Sequence, residues 1–158
     1  MAANREIALR PAGPADAAFL ISVTRRLADF PLPAWRTPGE IAAADLRQLL
    51  PALNATSDDS LVLVAETEAG EPLGCLFVTT ESDFFTGLPG AHIEVIAVTA
   101  EAEGQGVGRQ LMAAGESWAR KRGSSFMTLN VFVANARARS VYERFGYSPE
   151  TVRYRKAL

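Results

Sequence analysis

Two hydrophobic periods divide this chain, one of about two residues and one of about 3.6. Residues 6–10 read as a first strand. From 14 to about 30, Phe19, Val23 and Leu27 recur every four residues and predict a helix with one buried face. Pro31, Pro33 and Pro38 break the pattern, so 31–38 is expected to be a loop, and residues 40–50 predict a second helix ended by Pro51. Two apolar runs, 61–65 and 73–80, flank Glu-Ala-Gly-Glu-Pro and predict a hairpin, followed by a loop at 81–90. Residues 92–98 form a strand in which alternation puts His92, Glu94, Ile96 and Val98 on one face and Ile93, Val95 and Ala97 on the other. Val107, Leu111, Ala114, Gly115, Trp118 and Ala119 then mark a helix, 126–133 a strand, and Ala138, Val141, Tyr142 and Phe145 the buried stripe of a last helix. Residues 153–156 are expected to close the sheet. No repeat, low-complexity tract or linker interrupts this order, so one domain over 1–158 is expected.

Between the strand at 92–98 and the helix from 107 lies Glu103-Gly104-Gln105-Gly106-Val107-Gly108. Alternating glycines let the main chain turn tightly and bring its N–H groups close to a ligand. The first turn of the next helix adds unpaired N–H groups and the positive end of its dipole, which suits phosphate. Taken alone, the segment serves equally well as an anion cradle or as a plain turn. It is neither of two common phosphate loops. G-x-G-x-x-G fails because Arg109 or Leu111 falls at the third glycine, and G-x-x-x-x-G-K-[ST] fails because the chain contains no Gly-Lys pair.

A second segment changes this reading: Asn135, Ala138, Tyr142, Gly146 and Tyr147. Their order after the strand, glycine turn, helix and strand resembles the GNAT family of acyl-CoA-dependent N-acetyltransferases. The family's first motif, V-x-P-x-x-[RQ]-G-x-G-x-[GA], falls on residues 98–108. The second, N-x-x-A-x-x-x-Y-x-x-x-G-[FY], falls on 135–147 with every spacing kept. The opening Leu9-Arg10-Pro-Ala with Asp16 soon after is also common there. The resemblance extends over nearly the whole chain and is firmest from 91 to 147. It implies an α/β (α+β) fold: a mixed, mostly antiparallel twisted sheet of six to seven strands flanked by about four helices. It also implies acetyl-CoA as acyl donor, held by Ile96, Ala97, Val98, Glu103, Gly104, Gln105, Gly106, Val107, Gly108, Arg109, Asn135 and Tyr142. Main-chain N–H near Ile96 to Val98 would meet the reacting carbonyl oxygen.

Two positions depart from the family pattern. Ala100 stands where proline is usual, which loosens a turn. Glu103 stands where Arg or Gln is usual and sets a carboxylate beside the expected diphosphate. An outward, solvated Glu103 side chain is expected to cost little.

Acyl transfer to an amine requires loss of a proton, because an alkylammonium of pKa ~10.4 is not nucleophilic. Glu94 is the expected general base: a carboxylate inside so apolar a strand is costly unless paired, solvated or functional. It would act directly or through a water, and its structural alternative is a cross-strand partner for an arginine or a side chain facing a water-filled cleft. Tyr142 takes the general-acid role by resemblance, protonating the leaving thiolate, although periodicity alone makes it a core tyrosine. Asn135 suits a helix N-cap, and by resemblance also contacts the cofactor. His92, the only histidine, is a weaker acid or base candidate than Glu94, and without ligands at metal spacing no metal is expected. Arg109 stands where it either reaches a phosphate or lies on the surface.

With 158 residues and 48% hydrophobic content, the chain can bury a proper core. A net charge of −2 and pI near 5.5 argue against nucleic-acid binding. Cys75, the single cysteine, reads as a buried structural thiol rather than a nucleophile. No apolar run is long enough for a bilayer and no signal peptide is visible, so a cytoplasmic protein, expected as a homodimer, is the default. Three function classes follow: an N-acetyltransferase of small primary amines, amino acids or aminoglycoside-like polyamines; an acetyltransferase of protein N-termini or lysines; and a non-enzymatic acyl-CoA-binding domain. Glu94 and Tyr142 together argue against the third. The acceptor is expected around 25–40 and the loop 81–87, where acid and aromatic residues would suit a cationic amine.

Overall fold

A computed structural model describes residues 6–55 and 57–158; residues 1–5 and Thr56 of the expected domain lie outside the described residues. Five strands form one sheet in the order β1 (Ile7–Pro11), β2 (Ser60–Thr67), β3 (Pro72–Ser82), β4 (Pro89–Val98) and β5 (Met127–Leu129). Neighbours from β1 to β4 are antiparallel, and β5 runs parallel to β4. Four α-helices complete the fold: α1 (Ala17–Thr24), α2 (Pro38–Ala52), α3 (Val107–Lys121) and α4 (Ala136–Arg144).

The mixed, mostly antiparallel sheet is present, with five strands rather than six or seven among the described residues. Residues 153–156 add none. Tyr154 is the only apolar side chain there and is 91% exposed, so this segment has no apolar face to bury against a sheet. The first predicted helix is three pieces, with short 3-10 turns at Pro14–Asp16 and Arg25–Ala28 on either side of α1. α2 begins at Pro38 and runs through Pro51. Thr37 and Glu40 form a reciprocal capping box, and a proline in the last turn forfeits only one intrahelical bond. The expected loop at 81–90 is shorter, because β3 continues to Ser82 and β4 starts at Pro89.

Each face of the sheet carries its own core. On one face, Leu63, Leu76, Val78, Ala91 and Ile93 pack under Val107, Leu111, Met112 and Ala119, with Tyr142 and Phe145 of the α4 region alongside. On the other, Val62, Val64, Cys75, Phe77, Val95 and Ala97 pack against Leu20 and Val23 of α1 and Leu49 of α2. Cys75 is fully buried, and burial pushes its thiol up to about 12, which removes it as a nucleophile at neutral pH. No helix among the described residues is long and apolar enough to cross a membrane.

The simple alternation expected for β4 is wrong at one point. Ile93 packs on the α3 face, yet Val95 and Ala97 belong to the opposite core, while Ile96 and Val98 return to the α3 side. The cause is a β-bulge: Phe77 pairs with Val95 and Val78 with Ile93, leaving Glu94 as the extra residue. The bulge inverts the parity of the strand beyond Glu94: His92 and Glu94 keep the α1/α2 face that alternation from Ile93 gives them, and Ile96 and Val98 move to the other.

Candidate active site

The glycine turn connects β4 to α3. Gly104 and Gly106 have φ of +75° and +83°, a region that L side chains rarely adopt, which is why glycine stands at both. Around them, Glu103 N–H donates to Ala100 O and Gln105 N–H to Ala102 O, whereas the N–H groups of Gly104 and Gly106 meet no acceptor among the described residues. Gly106 is the N-cap of α3 and offers no side-chain cap. The unpaired N–H groups of Val107, Gly108 and Arg109 therefore extend the same cradle. Arg109 is exposed in that first turn. This donor set fits a diphosphate.

Glu103 is not free in water. Its carboxylate is held between the guanidinium groups of Arg26, just beyond α1, and Arg137, in the first turn of α4. Both keep its carboxyl below the usual range, with the Arg137 hydrogen bond the largest cause. Arg26 also donates from Nε to the carbonyl of Val98 at 2.8 Å, so the triad ties the end of β4, the glycine turn and α4 together. It carries a net charge of +1 beside the anion cradle. Neither arginine was singled out from the sequence. Arg26 lies 77 residues from Glu103 and Arg137 lies 34 from it, separations that no local pattern bridges.

Strands β4 and β5 pair only over Ala91–Met127, His92–Thr128 and Ile93–Leu129. Beyond Ile93, β4 continues to Val98 without β5 beside it. The expected strand at 126–133 stops at Leu129, and Phe132 turns to Phe30, with ring centroids 5.2 Å apart. An opening therefore begins at Glu94. Ile96, Ala97 and Val98 are the β4 residues beyond the point where the two strands part. Glu94 accepts a hydrogen bond from Thr79 Oγ1 at 2.8 Å and has no basic partner among the described residues. Asp45 of α2 faces it. Burial, and then the Glu94 charge, push the Asp45 carboxyl up to about 6. Asp45 also escaped the sequence reading, although a signal exists: it lies four residues before Leu49, on the buried stripe of α2.

Tyr142 packs with the α3-side cluster, on the opposite face of the sheet from Glu94, and burial raises its phenol. Its ring meets Tyr147 edge-on at 6.3 Å. The Tyr147 hydroxyl is buried without a partner among the described residues, and burial, foremost, pushes it up to about 12. Asn135 is the N-cap of α4, its side chain accepting from Ala138 N–H at 3.1 Å. Among the described residues no three His, Cys, Asp or Glu side chains are grouped to hold a metal.

Residues 23–147 match the model of the acetyltransferase (GNAT) family. A mycothiol acetyltransferase of Propionibacterium freudenreichii subsp. shermanii is 38% identical over 91 residues, which is 58% of this chain and 28% of that relative. The chain thus matches well under a third of that relative's length. A putative acetyl transferase from Pyrococcus furiosus superposes with a TM-score of 0.77 at 23% identity, covering 97% of this chain and all of the other. An aminoglycoside antibiotic 6'-N-acetyltransferase from Acinetobacter baumannii gives 0.70 at 18%, covering 97% and 99%. At such identities the two structures speak for the fold. The family match includes the glycine turn, the opening at Glu94 and the Asn135 helix, and on it this chain belongs to the acetyltransferase (GNAT) family.

Proposed function

We propose that this single domain transfers an acetyl group from acetyl-CoA to the primary amine of a small cationic molecule, with Glu94 as general base and Tyr142 as general acid. Acetyl-CoA, when bound, supplies the activated thioester. The cradle of Gly104, Gly106, Val107, Gly108 and Arg109 holds its diphosphate, with Glu103 and Gln105 in the same turn. The β4 edge at Ile96, Ala97 and Val98, together with Asn135, holds the remainder.

The observation that carries this reading is Glu94 at the bulge, a carboxylate on an apolar strand where β4 and β5 part. Glu94 takes a proton from the bound ammonium, leaving the electron pair on nitrogen. Tyr142 keeps its proton at neutral pH, because burial raises its phenol, and donates it toward the departing sulfur. The cationic character of the acceptor follows from charge. Asp16, Asp58, Glu66, Glu103 and Glu116 each have an arginine partner, whereas Glu94 and Asp45 face each other with none among the described residues. An ammonium group is the counter-ion this pair lacks.

The test is an acceptor screen with acetyl-CoA, reading thiol release over small amines, amino acids, aminoglycosides and peptides. Small cationic amines are expected to give the highest turnover. Peptide acceptors that outpace every small amine would favour a protein acetyltransferase, and silence throughout with tight acetyl-CoA binding would favour an acyl-CoA-binding module.

A further inference from the structure

Beside Glu94, on the same face, a second acid–base group is assembled from three strands. His92 and Thr128 are register partners across β4 and β5. His92 Nδ1 lies 2.6 Å from Thr128 Oγ1, and that hydroxyl donates to Glu81 Oε1 of β3 at 2.5 Å. A hydroxyl has one proton, and a carboxylate only accepts. The Thr128 proton is therefore committed to Glu81, and Thr128 can meet His92 only by accepting from Nδ1–H. This fixes the neutral ring as its Nδ1–H tautomer and makes Nε2 the nitrogen that carries the lone pair. Nε2 faces Asn130 Nδ2 at 3.4 Å, at the first residue beyond β5, where the two strands part. Glu81 Oε2 lies 3.9 Å from Nδ1. Thr79, the register partner of His92 on β3, is also the residue that donates to Glu94. The charged and titratable groups facing His92 are thus Glu81 from β3, Glu94 from β4 and, across from Glu94, Asp45 from α2. Strand β5 contributes only the neutral Thr128, and Asn130 follows it.

We propose that His92 is the proton outlet of the acceptor site, with Glu81 and Thr128 as its positioning residues. This rests on Glu94 acting as base. After Glu94 has taken the ammonium proton, its O–H bond breaks and the proton passes through solvent in the opening to His92 Nε2, forming an N–H bond. The imidazolium then releases the proton to bulk water, restoring the lone pair. No atom or electron is left over. Glu81 and Thr128 set which nitrogen is basic.

Because the chain has one histidine, ¹⁵N-labelling of histidine gives a single imidazole to observe without any cofactor. The expected neutral-state spectrum has a protonated Nδ1 and an unprotonated Nε2. Thr128→Val should release this to a mixture of tautomers, and so should Glu81→Gln, because an amide can donate to Thr128 where the carboxylate only accepts. A dominant Nε2–H tautomer in the wild type, or no change in Thr128→Val, overturns the assembly. In turnover, His92→Gln is expected to lower kcat roughly tenfold and to remove one ionisation from its acid limb, and Glu81→Gln should lower kcat in step with its loss of the Nδ1–H tautomer. A kcat–pH profile that His92→Gln leaves unchanged in an active enzyme overturns the outlet while Glu94 keeps its role. Loss of the rate in Glu81→Gln with an unchanged tautomer reduces these residues to structural ones. No turnover with any acceptor defeats both readings.

Discussion

The donor side and the acceptor side of this molecule are built by different means. On the proposed donor side, the recognition groups are main-chain N–H donors of a glycine turn and the start of α3, set by φ angles that adjacent residues dictate. On the proposed acceptor side, Glu94, Asp45, Thr79 and His92 come from three elements and meet on one face through strand register, while a single extra residue sends Ile96 and Val98 of β4 to the other face. A main-chain cradle tolerates many side chains around it. A site set by strand register depends on each side chain and on the pairing that aims it.

Substitutions on the two sides should therefore fail differently. The largest effect after removal of the base is expected for Tyr142→Phe, which should lower kcat by at least tenfold and leave acetyl-CoA affinity within about twofold, measured by steady-state kinetics and calorimetry. Gly106→Ala, at φ +83°, strains the turn by about 1 kcal/mol, and should weaken acetyl-CoA binding about fivefold with the KM for amine little changed. Asp45→Asn should raise the KM for a cationic amine a few-fold while stabilising the fold. The native carboxyl sits at about 6, above its ordinary 3.8, so the folded state prefers the protonated form. The cost of the charge is absent below pH ~4, grows between ~4 and ~6, and is complete above. Thermal unfolding should then show a gain of a few degrees for Asp45→Asn at neutral pH that vanishes below pH ~4. The smallest effect is expected for Glu103→Gln. Its ion pairs are solvent-screened, so acetyl-CoA affinity should change less than a few-fold, and a gain of tenfold or more would mean that Glu103 opposes the diphosphate directly.

Local chemistry was what the sequence made legible. The turn at 103–108, the helix that follows it and the Asn135 cap are each encoded within a few residues, and they are found where the spacing put them. The start of α2 was equally encoded, in Thr37-Pro-Gly-Glu40, though three nearby prolines suggested a longer loop. The bulge at Glu94 was not legible. Nothing in residues 92–98 signals an extra residue, because the mismatch exists only relative to Phe77 and Val78 of β3. The pairing of Glu103 with Arg26 and Arg137, and of His92 with Thr128 and Glu81, depends in the same way on elements that are distant in sequence. Ion pairs and tautomers belong to the assembled sheet.

The central claim is that Glu94 removes the proton from a cationic amine on the α1/α2 face. Its most direct test is the pH dependence of kcat/KM for Glu94→Gln against wild type, with the best amine from the acceptor screen. Without a base, the reaction must wait for amine that has already lost its proton, near pKa ~10.4. The rate should fall about 10²-fold or more at neutral pH, and its rising limb should move to higher pH. A variant with wild-type turnover and an unmoved profile would contradict the account.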